Sequence, residues 1–265
     1  MRKSILSLAV AAAVLVPGLA AAQAAAPSPL TGNTTLITDY RFRGISQTFQ
    51  KPAFQGGFDY AHASGLYAGN WNSNVSQGAG FPGGNIEMDF YGGYKKAFGD
   101  LGLDVGFIYY YYPGTKAGAT IPFSPANNRT LEVASGKVDN KEIYIGGSWK
   151  WLSLKFFDSI DDYFGTPGTK NTYYVDLSGS YDLGNGWGAN GHVGHLKFKG
   201  MSNADYSDWK IGVTKDINGW VLGAAYLDTN AKGKSGEFYN FPNSSGTDSK
   251  DAGKATLLLS ISKTF

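Results

Sequence analysis

Two pairs of residues combine side-chain types that could perform catalysis or hold a metal ion. His62 and Ser64 stand two residues apart, so that on a strand a base and a nucleophile would share one face. His192 and His195 stand three apart, which places them on opposite faces of a strand and prevents them from sharing a metal ion. What these residues can do depends on the elements that carry them.

The surroundings of these residues do not favour an enzyme. His62 and Ser64 fall in a short predicted turn without an orienting third group or an oxyanion site, so we interpret them as polar turn residues. Gly186–Gly191 has the spacing of a dinucleotide fingerprint, but a strand follows it, and no helix N-terminus is available for a pyrophosphate. Glu87 and Asp89 could form an acid–base pair, and they are equally natural as residues that line a pore. The sequence therefore predicts no catalytic residue, no cofactor and no metal site.

The last eleven residues of the chain alternate between apolar and mostly polar side chains. The apolar face consists of Ala255, Leu257, Leu259 and Ile261, and the chain ends at Phe265. This length suffices for a tilted strand to cross a hydrocarbon core, which takes roughly 9–11 residues. Such a strand is stable in lipid only within a closed barrel, where every backbone group is paired. The alternative is an edge strand of a soluble sandwich.

The other end of the chain predicts export. A charged start, Met1–Lys3, leads into the apolar segment 5–16 and then into the alanine-rich run 20–26, the order of a secretory signal peptide. We expect residues 1–24 to be removed and residues 25–265 to form one barrel domain.

The mature chain would be formally neutral. Of 23 Lys and Arg residues, Arg2 and Lys3 lie in the signal, so that 21 remain against 21 Asp and Glu. Neutrality argues against a nucleic-acid partner, which would require a basic surplus. The chain has no cysteine, so disulfides do not stabilise it.

Twelve predicted strands alternate with short and long joins. The short joins are 61–65, 96–100, the junction 150/151, 184–186 and 216–219, whereas the long joins include 113–140 and 229–253. Short periplasmic turns and long external loops are typical of outer-membrane barrels, and an even strand number returns the C-terminus to the periplasm. The predicted fold is an all-β, closed antiparallel transmembrane barrel of about 12 strands. Its predicted strands are 33–43, 53–61, 65–73, 85–95, 101–112, 141–150, 151–158, 172–183, 187–198, 206–215, 220–228 and 254–265.

Aromatic residues cluster near the predicted strand ends. Trp149, Trp151, Trp187 and Trp220 flank short turns. An amphipathic ring suits the boundary between headgroups and hydrocarbon. These residues therefore predict an aromatic girdle.

Four segments resemble a known family. Thr38–Gln47 (TDYRFRGISQ), Pro52–Tyr60, Ser64–Trp71 and Glu87–Tyr94 are similar to the TorF-type porin family of proteobacterial outer membranes. The resemblance is specific over residues 33–95 and diffuse afterwards. It implies an outer-membrane barrel that passes small solutes, and it brings no particular substrate with it.

Charged and polar residues on the inward face of the predicted strands are expected to line a lumen. If Leu36, Thr38, Tyr40 and Phe42 face lipid, the residues between them face inward, since an Arg on the lipid face would cost about 2–4 kcal/mol. The predicted pore-lining residues are Asp39, Arg41, Arg43, Gln55, Asp59, Glu87, Asp89, Asp104, Glu142, Asp176, Asp208 and Lys210.

The favoured function is therefore an outer-membrane channel for small polar solutes or ions. Asp39, Arg41 and Arg43 on the first strand are expected to approach Asp59 and Glu87 on strands nearby, which would give a mixed-charge lumen. The predicted partners are outer-membrane lipids, lipopolysaccharide, small polar solutes and, through Phe265, the barrel-assembly machinery. The alternatives are a structural barrel filled by its own side chains or by segment 113–140, and a lipase- or protease-type barrel.

Overall fold

The computed structural model describes residues 29–76, 84–114, 120–122, 130–132, 138–243, 245 and 247–265. The predicted signal peptide and most of the 113–140 segment lie outside these ranges. Among the described residues no helix has the length and hydropathy that a membrane span requires.

Twelve strands close into one antiparallel barrel in which each strand pairs with its neighbours in sequence, and the last pairs with the first. They are β1 (Leu30–Ile37), β2 (Ala53–Ala61), β3 (Leu66–Asn74), β4 (Ile86–Phe98), β5 (Leu101–Tyr111), β6 (Asn140–Trp149), β7 (Leu152–Ser159), β8 (Tyr173–Gly184), β9 (Trp187–Lys197), β10 (Tyr206–Ile217), β11 (Trp220–Thr229) and β12 (Thr256–Thr264). The predicted fold is confirmed.

Most predicted strand boundaries agree with the structure to within three residues, and the exception is β1. The prediction placed this strand at 33–43, whereas it spans Leu30–Ile37. The join at 61–65 and its four counterparts bring strand ends together at one end of the barrel, the short-turn end. The longer joins lie at the other end, the long-loop end.

The outer wall is apolar because the strands alternate. On β12, Leu257 and Leu259 are exposed whereas Leu258 is buried inside, as the sequence predicts. Phe265 extends the seam between β12 and β1, since its backbone N–H donates to the Gly32 carbonyl at 2.8 Å and its carbonyl accepts from the Gly32 N–H at 3.1 Å.

The largest apolar cluster lies inside the long-loop half of the barrel. It combines inward side chains of the wall with residues from the joins, such as Phe42, Tyr163, Phe198 and Phe238. Three short hairpins outside the barrel sheet pair Arg41–Phe42 with Ile45–Ser46, Thr120–Pro122 with Thr130–Glu132, and Asn240–Pro242 with Ser249–Asp251. Two 3₁₀ turns, Tyr163–Gly165 and Ser202–Ala204, complete the described joins.

Candidate functional site

The join between β1 and β2 folds into the barrel and fills its long-loop half. We call residues 38–52 the plug. Every plug residue from 39 to 49 is buried, and two of them, Arg43 (φ 48) and Gly44 (φ 82), form the tight turn of its hairpin. Positive φ at both central positions is the geometry of a type I′ turn, for which Gly at the second position is well suited.

The plug corrects the prediction for the first strand. Asp39, Arg41 and Arg43 do lie inside the barrel, but on this hairpin and not on a wall strand. Tyr40 and Phe42, which the prediction placed against lipid, are 1% and 7% exposed and lie inside as well. The alternation of side chains continues past Ile37, although the chain leaves the wall there.

The tip of the plug is held by a buried ion pair. Arg43 donates to both carboxylate oxygens of Glu142 on β6, at 2.9 and 2.7 Å, and to the Tyr163 hydroxyl at 3.1 Å. Its guanidinium carbon also lies 4.5 Å from the ring centre of Tyr174 and 5.2 Å from that of Phe157. Bidentate pairing with a carboxylate and stacking on rings are the geometries in which Arg binds most specifically.

The same tip contacts the wall on β10. The Tyr206 hydroxyl donates to the Arg43 carbonyl at 2.7 Å. A Cβ atom on Gly44 would lie 2.7 Å from Cβ of Asp208, so only glycine permits this approach. The hairpin starts at β1 and ends against β6 to β10, and it therefore crosses the lumen.

The base of the plug is held by Asp39 and Arg41. Asp39 accepts hydrogen bonds from Arg41 Nε at 2.6 Å, from Ser46 at 2.7 Å and from Thr48 at 2.9 Å. Arg41 also donates to backbone carbonyl oxygens, including that of Ala252 at 2.8 Å in the join between β11 and β12. The ion pairs of Arg41 and Arg43 are thus formed with Asp39 and Glu142 and not with Asp59 or Glu87.

Buried carboxylates on β4 contact the plug from the side. Glu87 accepts a hydrogen bond from Tyr40 of the plug at 2.7 Å and another from Tyr112 at 2.9 Å. Asp89 is 2% exposed, and its Oδ1 atom has no hydrogen-bond partner. Gln55 on β2 is equally buried and donates to Ser73 at 3.2 Å. These three predicted pore-lining residues lie inside the barrel at the level of the plug.

Below the plug, interior tyrosines lie over glycines of the neighbouring strand. Gly69 is the register partner of both Asp59 and Tyr91, and the Tyr91 hydroxyl reaches across it to donate to Asp59 at 2.5 Å. A Cβ atom on Gly69 would overlap the Tyr91 ring. We call such a set a tyrosine row: a tyrosine, the glycine beneath its ring and the carboxylate that accepts its hydrogen bond. Each tyrosine row joins three neighbouring strands through one hydrogen bond.

Two further tyrosine rows repeat this arrangement, the first below the plug and the second against its tip. Tyr67 lies over Gly93 and donates to Asp104 at 2.6 Å. Tyr174 lies over Gly194 and donates to Asp208 at 2.8 Å. Lys155 on β7 forms an ion pair with Asp104 at 2.6 Å. Sequence reasoning missed Lys155 and the tyrosines, although an inward glycine beside an inward tyrosine was a usable signal.

A second charged cluster lies on β8, β9 and β10. His192 contacts Asp176 through Nδ1 at 2.9 Å and Asp208 through Nε2 at 3.2 Å. The latter contact lacks hydrogen-bond geometry, since Asp208 Oδ2 has no hydrogen-bond partner. Lys210 lies on the inward face of β10, two residues after Asp208. His195 is exposed on the outer wall and bonds to Ser207, so the two histidines occupy opposite faces as predicted.

The exposure of the inward side chains changes along the barrel axis. On β6, Asn140 and Glu142 near the long-loop end are fully buried, whereas Ser148 near the short-turn end is exposed. On β8, Tyr174 is buried and Ser180 is partly exposed. On these two strands the inward side chains become more exposed toward the short turns, whereas Lys155 on β7, Thr214 on β10 and Val221 on β11 stay buried, at 6%, 8% and 7% exposure. Solvent therefore reaches only part of the interior below the plug.

The residues of catalytic types lie in the elements that the sequence predicts for them. His62 Nδ1 and Ser64 Oγ lie 2.8 Å apart in an exposed turn. A strand and not a helix follows Gly186. In the described ranges, no group of three or more His, Cys, Asp or Glu residues could hold a metal ion.

The geometry defines a closed antiparallel barrel with an apolar outer wall, a polar interior and an inward-folded plug. The chain belongs to the family of bacterial proteins of unknown function called Gcw_chp, which it matches over residues 21–265. No curated protein matches the sequence. The finer resemblance to TorF-type porins stays a prediction.

The comparison with solved structures finds two porins among the similar chains. The KdgM porin superimposes with a TM-score of 0.50 at 8% identity, covering 89% of this chain and 99% of that one. The NanC porin gives a TM-score of 0.48 at 9% identity, covering 89% and 98%. At these identities the likeness concerns the fold alone.

Proposed function

We propose that this protein is an outer-membrane channel for small polar solutes, with its external mouth closed by the plug in the conformation described above. The observation that carries the proposal is the polar interior below the plug, whose inward side chains on β6 and β8 become more exposed toward the short turns. A barrel that served only as a scaffold would gain stability by filling this space with apolar side chains.

The attachment of the plug supports a removable closure. Ile37 and Ala53, the last and first wall residues on either side of it, are register partners in the β1–β2 pair. The plug can therefore leave the lumen without unpairing β1 from β2, although Thr38 at its start also bonds to Leu259 of β12, donating its N–H to that carbonyl at 3.0 Å. Its polar anchors are ion pairs and hydrogen bonds, which water can replace when the hairpin moves out, whereas the contacts of Tyr40 and Phe42 with neighbouring aromatic rings oppose that movement.

The orientation follows from loop length. Short turns lie in the periplasm and long joins outside in barrels of this class, so the plug would close the external side. Below it, the lumen carries Lys155 and Lys210 as well as Asp59, Asp104 and Asp176. Charges of both signs favour small dipolar solutes and weak selection between cations and anions.

A plug-shortened variant tests the proposal. Residues 38–52 are replaced by a short Gly/Ser turn that joins Ile37 to Ala53, and single-channel conductance is measured in planar bilayers. We expect steady conductance from this variant and rare or brief openings from the wild type. The control for an intact barrel is gel electrophoresis of the variant. Unheated and heated samples should still differ in mobility. An intact plug-shortened barrel without conductance would refute the channel.

A filled structural barrel is the second candidate. It is favoured by the completeness of the closure, since Glu142, Asn140 and Asp208 below the plug tip are 0% exposed. This candidate predicts that the plug-shortened variant loses stability and that neither form conducts.

A further inference from the structure

The outer wall at the short-turn end carries a repeated pair of one lysine and one tryptophan. The Nζ atom of Lys215 lies 5.0 Å from the ring centre of Trp187, and that of Lys263 lies 4.8 Å from the ring centre of Trp220. Each pair consists of register partners on neighbouring strands. Lys150 lies 4.8 Å above Trp149 in the same way, at the turn between β6 and β7. We call Lys150, Lys215 and Lys263 the rim lysines.

The rim lysines have no acidic partner. Within the described residues, none of their ammonium groups forms an ion pair with a carboxylate. Only Lys215 has a hydrogen-bond acceptor, the Asn185 carbonyl at 2.6 Å. An ammonium group has three donors, so each rim lysine can donate to acceptors outside the protein.

Carboxylates at this end of the barrel are directed elsewhere. Asp59 and Asp104 face the lumen, where tyrosines donate to them. Asp182 and Asp216 accept hydrogen bonds from backbone N–H groups in the turns, at 2.8 and 2.9 Å. Asp100 lies in the short turn beside Lys150, whose backbone N–H donates to the Asp100 carbonyl at 3.2 Å, but in the part of the chain that the structure describes it forms no ion pair with a rim lysine. The rim lysines therefore occupy outward positions near the short turns without a paired carboxylate among these residues.

The long-loop end differs in this respect. There Lys141 pairs with Asp161 at 2.7 Å, and Lys197 pairs with Asp205. Lys141 and Lys197 are thus neutralised within the protein, whereas the rim lysines are available to a negative partner from outside.

We propose that the rim lysines and their tryptophans bind the phosphate groups of anionic phospholipids in the leaflet that surrounds the short turns. The inference rests on the proposed membrane location. The indole rings of Trp149, Trp187 and Trp220 are about half exposed, and indole rings prefer the depth of the headgroups. Each pair then offers a phosphate one ammonium charge, held over the ring, and one indole N–H donor.

The effect of these charges should be measurable. A lysine near an anionic lipid surface contributes about fivefold in affinity. Each rim lysine should therefore favour an anionic lipid over a zwitterionic one about fivefold at the site beside it.

Quenching of tryptophan fluorescence by brominated lipids tests the inference. The refolded full-length barrel is placed in phosphatidylcholine vesicles to which brominated phosphatidylglycerol or brominated phosphatidylcholine is added. We expect the wild type to be quenched at much lower fractions of the anionic lipid. The triple variant Lys150→Gln, Lys215→Gln and Lys263→Gln should lose this preference, and the corresponding triple Arg variant should keep it.

A matched triple variant at the other end provides the control. Lys141→Gln, Lys170→Gln and Lys197→Gln change the net charge equally and leave the rim lysines intact, so the preference should persist. Equal quenching of the wild type by both lipids would overturn the inference while leaving the membrane location in place. Absence of quenching by either lipid would instead refute the membrane location, and with it both proposals.

Discussion

Replacing Arg43 with alanine should release the plug and open the barrel. The change removes both hydrogen bonds to Glu142 and leaves that carboxylate, which is 0% exposed, without its cation. Removing one partner of a buried pair costs about 3–5 kcal/mol, because the remaining charge is buried and uncompensated. The protein can avoid this cost by moving the plug outward, so that water reaches Glu142.

The substitution should destabilise the closed position of the plug and leave the pairing of the barrel strands unchanged. The strand that carries Glu142 is paired over ten residues with β5 and over eight with β7, and neither set involves Arg43. A change of about 3 kcal/mol in favour of the displaced plug corresponds to more than a hundredfold change in the ratio of closed to open molecules.

Single-channel recording is the assay, and two further variants make it specific. Arg43→Ala combined with Glu142→Gln removes the uncompensated charge and should recover part of the closure. Lys141→Ala breaks a pair with Asp161 whose side chains are 44% and 52% exposed, so it should change nothing. If Arg43→Ala assembles into an intact barrel whose open probability equals that of the wild type, the ion pair does not hold the plug.

Three further outcomes can be measured. Gly69→Val should destabilise the barrel by about 1–3 kcal/mol in urea unfolding, because the side chain overlaps a tyrosine ring, whereas Gly147→Ala, with open space around it, should be nearly neutral. Deletion of Phe265 should lower the amount of protein in outer membranes, as judged by immunoblotting, and unchanged abundance would show that the terminal residue is not read during assembly. Protease added to intact cells should cut within 229–253 and spare 184–186; cleavage at the latter would invert the proposed topology.

The wall of the barrel could be predicted because its determinants are local. Alternation of side chains fixes which face of a strand is apolar, and the lengths of the joins fix the order of the strands. Asn185 and Asn218 adopt positive φ in the short turns, each followed by glycine, as the Asn-Gly pairs indicate.

The plug could not be predicted, because its sequence continues the pattern of a wall strand. Thr38, Tyr40 and Phe42 alternate with three charged residues in the same way as a lipid-facing strand does. The energy that draws them inside comes from partners far away in the chain, such as Glu142, which no local pattern reveals. The only local signal is Gly44, whose position after Arg43 permits the hairpin turn.

The tyrosine rows also bear on how this family can change over time. In each row a glycine, a tyrosine and a carboxylate occupy three neighbouring strands, as Gly69, Tyr91 and Asp59 do. A larger residue at the glycine displaces the ring, and a lost hydroxyl leaves the acid without its donor. The three positions should therefore covary among homologues despite their distance in sequence, whereas the plug, which is inserted between two adjacent wall residues, can diversify or shorten independently.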